Sequence, residues 1–186
     1  ESGLFYQDDN GDIVFVNLLE NNIKFNLTGD GTGKIVFNND IEHDGNISID
    51  NVEVEVNAKG LDRATLQNGS VVNVGIGSQV KDNIINQSSL LNIKNGGHAL
   101  STMVANGGKL VVQSGGLAEN SVVFAGGTLE TQTQARLHNL LAKSDSYLNI
   151  SAGTLLTGNI IIDRHANLSG SYDYKKIFKD NIANGA

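Results

Sequence analysis

Written in lines of 19 residues, the stretch 58–171 sorts its apolar residues into columns. With lines starting at Ala58, Gly77, Gly96, Gly115, Gln134 and Gly153, the fourth position reads Leu61, Val80, Ala99, Ala118, Leu137 and Leu156. The ninth reads Leu66, Ile85, Val104, Val123, Ala142 and Ile161. The fifteenth reads Val72, Leu91, Leu110, Leu129 and Leu148, then fails at Asn167. The seventeenth reads Val74, Ile93, Val112, Thr131, Ile150 and Ser169. Between the last two columns stand Asn73, Asn92, Val111, Glu130 and Asn149, mostly polar, so side chains alternate with the two-residue period of a strand that buries one face. A unit this short cannot bury its apolar stripe alone. Its neighbours must cover it, and a repeat near twenty residues predicts a solenoid.

Glycine marks the corners of that solenoid. Gly96-Gly97 and Gly107-Gly108, then Gly115-Gly116 and Gly126-Gly127, follow one another at offsets of 11, 8 and 11, which close on the same 19-residue period. Such steps supply turns with positive φ. The chain has 22 glycines and no proline in 186 residues, as a solenoid requires when nearly every residue donates its N–H to the next turn. These features predict an all-β fold, a single-stranded right-handed parallel β-helix of about 8–9 rungs, with the hand set by the usual right-handed crossover. At about 4.8 Å per turn, the rod is roughly 40 Å long.

Three segments are expected. Residues 58–171 form the regular shaft, and residues 172–186 form a C-terminal cap or linker, with Tyr174 to Phe178 either a helical turn or a final strand. Residues 1–57 are an acidic, irregular region, β-helical or capping, with strands near Ile13–Val16, Ile23–Leu27, Ile35–Asn38, Ile47–Ile49 and Val52–Val56. Its rungs read as longer, about 22 residues, because Ile13-Val14-Phe15-Val16 is echoed in Ile35-Val36-Phe37-Asn38. Phe15 and Phe37 then stack inside, with Phe25 on another strand of the rung. The chain reads as a piece of something longer.

Charge is uneven. Residues 1–57 carry 12 acidic and 2 basic groups, a net of −10, whereas residues 58–186 carry 8 acidic and 11 basic, a net of +3. This asymmetry favours an offset or antiparallel arrangement of copies and salt-sensitive association, unless the acidic end is only a solvated cap. No basic patch interleaved with aromatics points to nucleic acid. The absence of cysteine excludes disulfides and thiolate metal sites. No stretch approaches 18 apolar residues.

Candidate chemistry is sparse. Asp8-Asp9-Asn10-Gly11-Asp12 lacks the alternating ligands and distal glutamate of a calcium loop and reads as an Asn-Gly hairpin turn. Glu53 and Glu55 share one strand face with Asp50 close by, the kind of carboxylate group a polysaccharide lyase uses, but no Lys or Arg stands in a matching column. His43, His98, His138 and His165 read as falling in different columns, so no metal site or cofactor is expected. Asn-x-Ser/Thr triplets at Asn26, Asn46, Asn68, Asn86, Asn149 and Asn167 reflect an Asn- and Ser-rich composition.

The run from Gly96-Gly97-His98-Ala99 through Gly107-Gly108-Lys109-Leu110-Val111-Val112 to Gly126-Gly127-Thr128-Leu129 resembles the 19-residue repeat of self-associating autotransporter passengers of the AIDA and antigen-43 type. Ala99, Thr102, Val104, Leu110 and Val112 match that repeat in order. The clear match covers two rungs, about 38 residues, and a degenerate version covers 58–171. The resemblance implies a passenger segment on the surface of a Gram-negative bacterium, reached through the periplasm and outer membrane. In the parent chain it would be continuous with an outer-membrane β-barrel. It implies an adhesin acting in autoaggregation, biofilm and virulence, whose partner is itself or a host surface molecule. It also implies heptose on serines of the kind of Ser101, Ser114 and Ser121. Two alternatives stay open: an autochaperone segment that promotes passenger folding, and a carbohydrate-active β-helix enzyme. The expectation is of no enzyme.

Overall fold

The computed structural model describes residues 4–7, 9–17, 26–41, 43 and 45–180. In chain order its strands are β1 (Leu4–Gln7), β2 (Ile13–Asn17), β3 (Asn26–Thr28), β4 (Lys34–Phe37), β5 (Ile47–Asp50), β6 (Glu53–Val56) and β7 (Lys59–Asp62). Then come β8 (Ala64–Gln67), β9 (Val71–Val74), β10 (Gln79–Lys81), β11 (Ile84–Ile85), β12 (Leu90–Ile93), β13 (His98–Leu100) and β14 (Met103–Val104). The last are β15 (Lys109–Val112), β16 (Leu117–Val123), β17 (Thr128–Thr131), β18 (Arg136–Ala142), β19 (Tyr147–Asn149), β20 (Leu155–Ile162) and β21 (Asn167–Ser169), followed by helix α1 (Lys175–Asp180).

These strands make a three-faced parallel β-helix. The first face stacks β2, β4, β6, β9, β12, β15, β17, β19 and β21, nine parallel strands bounding eight turns. The second face is β7, β10 and β13, and the third is β3, β5, β8, β11 and β14. From β16 onward single longer strands bend around the corner and serve both. The eight spacings give a rod of about 38 Å at ~4.8 Å each.

Each corner has its own column of left-handed residues at the repeat spacing. Between the first and second faces stand Gly77, Gly96, Gly115, Gln134 and Gly153, with φ from 68° to 82°. Between the second and third stand Arg63, Asp82, Ser101, Asn120, Asn139 and Gly158, and between the third and first Gly69, Ser88, Gly107, Gly126 and Asp145. Backbone bonding continues through these corners: Gly77 N–H donates to Gly96 O at 2.9 Å, Gly96 to Gly115 at 3.0 Å and Gly115 to Gln134 at 3.1 Å. That continuous ladder has no place for proline.

The double glycine does two jobs. The first supplies the positive φ, and the second lets the chain lie against the turn before it. A Cβ on Gly108 would sit 2.2 Å from the carbonyl oxygen of Ile85, and one on Gly97 would sit 2.5 Å from that of Val74.

The inward columns form one continuous core. Leu61, Val80, Ala99, Ala118 and Leu137 are buried and Leu156 is half-buried, while Val72, Leu91, Leu110, Leu129 and Leu148 are fully buried. Two expectations are corrected in the last turn. An extra residue at the Gly158 corner shifts the register, so Leu140 pairs with Ile160 and Ala142 with Ile162. This is a β-bulge. Ile162 therefore takes the buried place expected of Ile161, which points outward at 42% exposure. The same insertion carries the fifteenth column past Asn167, because Leu148 pairs with Leu168.

At the N-terminal end the first turn is 22 residues long, Ile13 pairing with Ile35 and Phe15 with Phe37. The next two are 19 and 18, Lys34 pairing with Glu53 and Glu53 with Val71, so the long spacing is confined to the first turn. Phe37 is buried; the side chain of Phe15 and all of Phe25 lie outside the described residues. β1 folds back antiparallel on β2, a hairpin. At the other end, α1 takes the helical form of the two expected. Its Ile177 is buried against the last turn, and the Tyr174 hydroxyl donates to Ser169 O at 2.6 Å.

Candidate functional surfaces

The outward side of the first face is a polar ladder. Asn73 Nδ2 donates to Glu53 at 3.2 Å and to Glu55 at 3.0 Å, and Asn92 Nδ2 donates to Asn73 Oδ1 at 3.1 Å. Cations flank the carboxylates, contrary to expectation: Lys34 is the register partner of Glu53, its Nζ lies 3.8 Å from Glu55 and 3.9 Å from Asp12, and Lys94 Nζ lies 3.9 Å from Glu55. Lys34 stands one 19-residue spacing before Glu53, so the frame already holds in the turn that precedes the regular shaft. Asp50 is on the third face, where it accepts from Asn68 Nδ2 at 2.9 Å. The three carboxylates therefore do not converge.

Along the second face, His98 Nε2 lies 3.6 Å from Glu119, and His138 Nδ1 is 2.8 Å from the Thr157 hydroxyl. His43 Nε2 accepts the Asp62 N–H at 3.3 Å, while Arg63 donates to the backbone carbonyls of His43 and Gly45. Burial, reinforced by the Arg63 charge, lowers the His43 pKa, and burial raises that of Asp62. The Asp62 column continues through Lys81, Leu100 and Glu119 to His138, so His43 and His138 share one column rather than two. Five turns separate them. Among the described residues no group of three or more His, Cys, Asp or Glu is placed to hold a metal. Asp8 of the acidic hairpin turn lies outside the described residues.

The third face differs in kind. Its outward column begins with Asn26, Ser48 and Thr65 and then turns apolar: Ile84, Met103, Val122, Leu141 and Ile161, in register from turn to turn. Beside it runs a groove. One cleft of about 300 Å³ is lined by Asp82, Ser101 and Asn120 on one side and by Ile84, Met103 and Val122 on the other. A second, of about 180 Å³, continues it past Asn139 and Leu141 to Ile161. The polar wall is tied together: Asn139 Nδ2 donates to Asn120 Oδ1 at 2.9 Å, and the Asn159 N–H donates to Asn139 Oδ1 at 2.8 Å. The sequence columns passed over this strip because they followed the inward positions.

The three serines expected to carry sugar are placed differently. Ser101 is at a corner, half-buried, with φ of 57°, and Ser114 is exposed, its hydroxyl donating to Thr133 O. Ser121 is 2% exposed, and its hydroxyl oxygen is buried.

No protein-family model and no curated protein matches the chain. Among solved structures it is similar to a TibC-catalysed hyper-glycosylated TibA55-350 fragment, with a TM-score of 0.51 and 17% identity, over 87% of this chain and 67% of that one. The likeness is one of fold. It places the three-faced solenoid beside a glycosylated β-helical fragment, and no helix among the described residues is long and apolar enough to cross a membrane.

Proposed function

We propose that this chain is a segment of a bacterial autotransporter passenger, displayed outside the cell, that acts as an adhesive rod toward a second copy or a host surface molecule, without catalysis. The observation that carries the reading is the stack of in-register outward columns on a stiff three-faced shaft. Side chains in a column stand ~4.8 Å apart, and stretches of a column repeat one kind of group over several turns, as from Ile84 to Ile161, so weak contacts add along the rod through multivalency. The fold likeness to TibA55-350 and the repeat's resemblance to AIDA-type passengers support it. The dispersal of Asp50, Glu53 and Glu55 over two faces favours binding over bond cleavage.

The test is to display the chain on the outer surface of a non-aggregating Gram-negative bacterium and follow both settling and attachment to epithelial cells. Faster settling or attachment is the expected result. Cells that behave as the undisplayed strain in both assays would refute the reading. A second reading, a folding-core segment of the passenger, is favoured by the stapled C-terminal end, where Tyr174 and Ile177 close the last turn. It predicts that restoring the chain in cis rescues secretion of a longer passenger lacking it.

A further inference from the structure

We propose that the apolar column of the third face is a homotypic contact, packing against the same column of a second copy whose rod runs antiparallel. This rests on the reading of the chain as an associating rod and assigns the surface and the partner. The motive is the change within one column. The same outward position that holds Asn26, Ser48 and Thr65 in three turns holds only apolar residues in the next five, with Ile84 36%, Met103 47% and Ile161 42% exposed. Phe124, 38% exposed, follows the end of β16 two residues beyond Val122, and its N–H donates to Val104 O at 2.9 Å. An outward sheet position in water gains nothing from such residues, and an exposed apolar strip rimmed by polar groups marks an interaction surface.

Symmetry and charge choose the occupant. The strip is centred on Val122, with two apolar turns on either side. A two-fold axis lying across the rods at that level sets Ile84 against Ile161, Met103 against Leu141 and Val122 against its own copy. In the neighbouring column Phe124 meets Phe124, Lys143 meets Ala105 and Asp163 meets Asn86, so no like charges face each other. A parallel pair would instead bring Phe124 against the Asn120 wall and set two acidic N-terminal regions, each of net −10, side by side. The antiparallel pair puts them at opposite ends. Five turns span only about 20 Å, short of the ~800 Å² per partner of a standard stable interface. The dimer is therefore weak and concentration-dependent in solution, and high salt does not dissociate it because no ion pair holds it.

The purified full chain is measured by light scattering over a wide concentration range at ~20 and ~500 mM salt, beside the double substitution Met103→Gln and Leu141→Gln, both outward. The expected result is a wild-type dimer retained at high salt and at least a tenfold weaker variant with an unchanged melting temperature. Because the chain has no cysteine, Val122→Cys gives a direct second readout. It should form a disulfide-linked dimer on mild oxidation, whereas Val111→Cys on the first face should not. Wild-type association that ignores the double substitution, with no Val122→Cys crosslink, overturns the surface assignment and leaves the adhesive rod standing. A strictly monomeric wild type whose attachment to host cells the double substitution abolishes overturns the homotypic partner. No association and no attachment at all refutes the underlying reading.

Discussion

His43 shows how one half-buried side chain couples the N-terminal turns to pH. Its ring sits against Asp62 N–H and beside Arg63, and burial favours the neutral imidazole. The folded pKa lies below the unfolded value of about 6.5. The stabilisation from the neutral ring is therefore fully present above that pH and is lost as pH falls through the lowered value. Asp62 works in the opposite sense, since its raised pKa means the penalty of its half-buried charge is relieved as acid protonates it. Denaturant titrations should show stability falling from pH 7 toward pH 5, with His43→Asn flattening the slope. An unchanged slope in that variant would mean His43 is not the responsible group. At this scale the sequence was a partial guide. The inward residues were readable from periodicity, but Ser121 and Lys34 were not. Ser121 looked like a surface hydroxyl because its corner bends a nominally outward position inside, and Lys34 pairs across a turn whose boundary composition hides.

The corner is the element that sets the rod's geometry, and the two glycines of the Gly107-Gly108 pair are held by different constraints. Gln134 adopts φ of 68° at a place where its column otherwise holds glycine, followed by the buried Ala135 in the second position. The left-handed site thus accepts another residue, at a strain of about 1 kcal/mol. The second site takes Ser89, Ala135 or Ser146 in other turns, but at Gly108 the backbone lies closer, and a methyl there would sit 2.2 Å from the Ile85 carbonyl oxygen. Gly108→Ala should cost about 3 kcal/mol, lowering the melting temperature several degrees, whereas Gly107→Asn in the left-handed site should cost well under half as much. Equal losses would show that φ, not the close approach, dictates the pair. The fold was legible at this level because a 19-residue frame repeats the same constraints. It lost register where one residue was added at Gly158, since an insertion at a corner leaves composition untouched while moving every later column by one. The polar Thr131 in an otherwise apolar column is likewise explained only in three dimensions: its hydroxyl lies 2.8 Å from that of Thr154 and accepts the Ser151 N–H.

At the level of the whole molecule, three faces divide the labour among a polar carboxylate-amide ladder, a mixed histidine-bearing face and an apolar strip beside a groove. Inward periodicity does not reveal the strip, because Ile84, Met103 and Val122 are apolar in the positions a half-buried sheet gives to solvent. The charge asymmetry was readable, and its role changes in the light of the strip. In the proposed dimer it would orient the copies rather than bind them. The prediction of salt-sensitive association, argued from charge, and that of salt-resistant association, argued from the strip, are opposed, and light scattering decides between them.

Strand pairing also has a mechanical consequence. Parallel neighbours are joined at separations of 17 to 22 residues, as in Ile47 with Ala64 and Ile13 with Ile35, so each turn closes a loop of one length on the turn before it. Loop-closure entropy is then small and nearly equal for every turn, and the rod can be wound or peeled from an end without disturbing the rest. Pulled along its axis in an optical trap, it should lengthen in a staircase of roughly 60 Å per released turn at full extension. One abrupt rupture of the whole shaft would show instead that the turns are welded into a single unit.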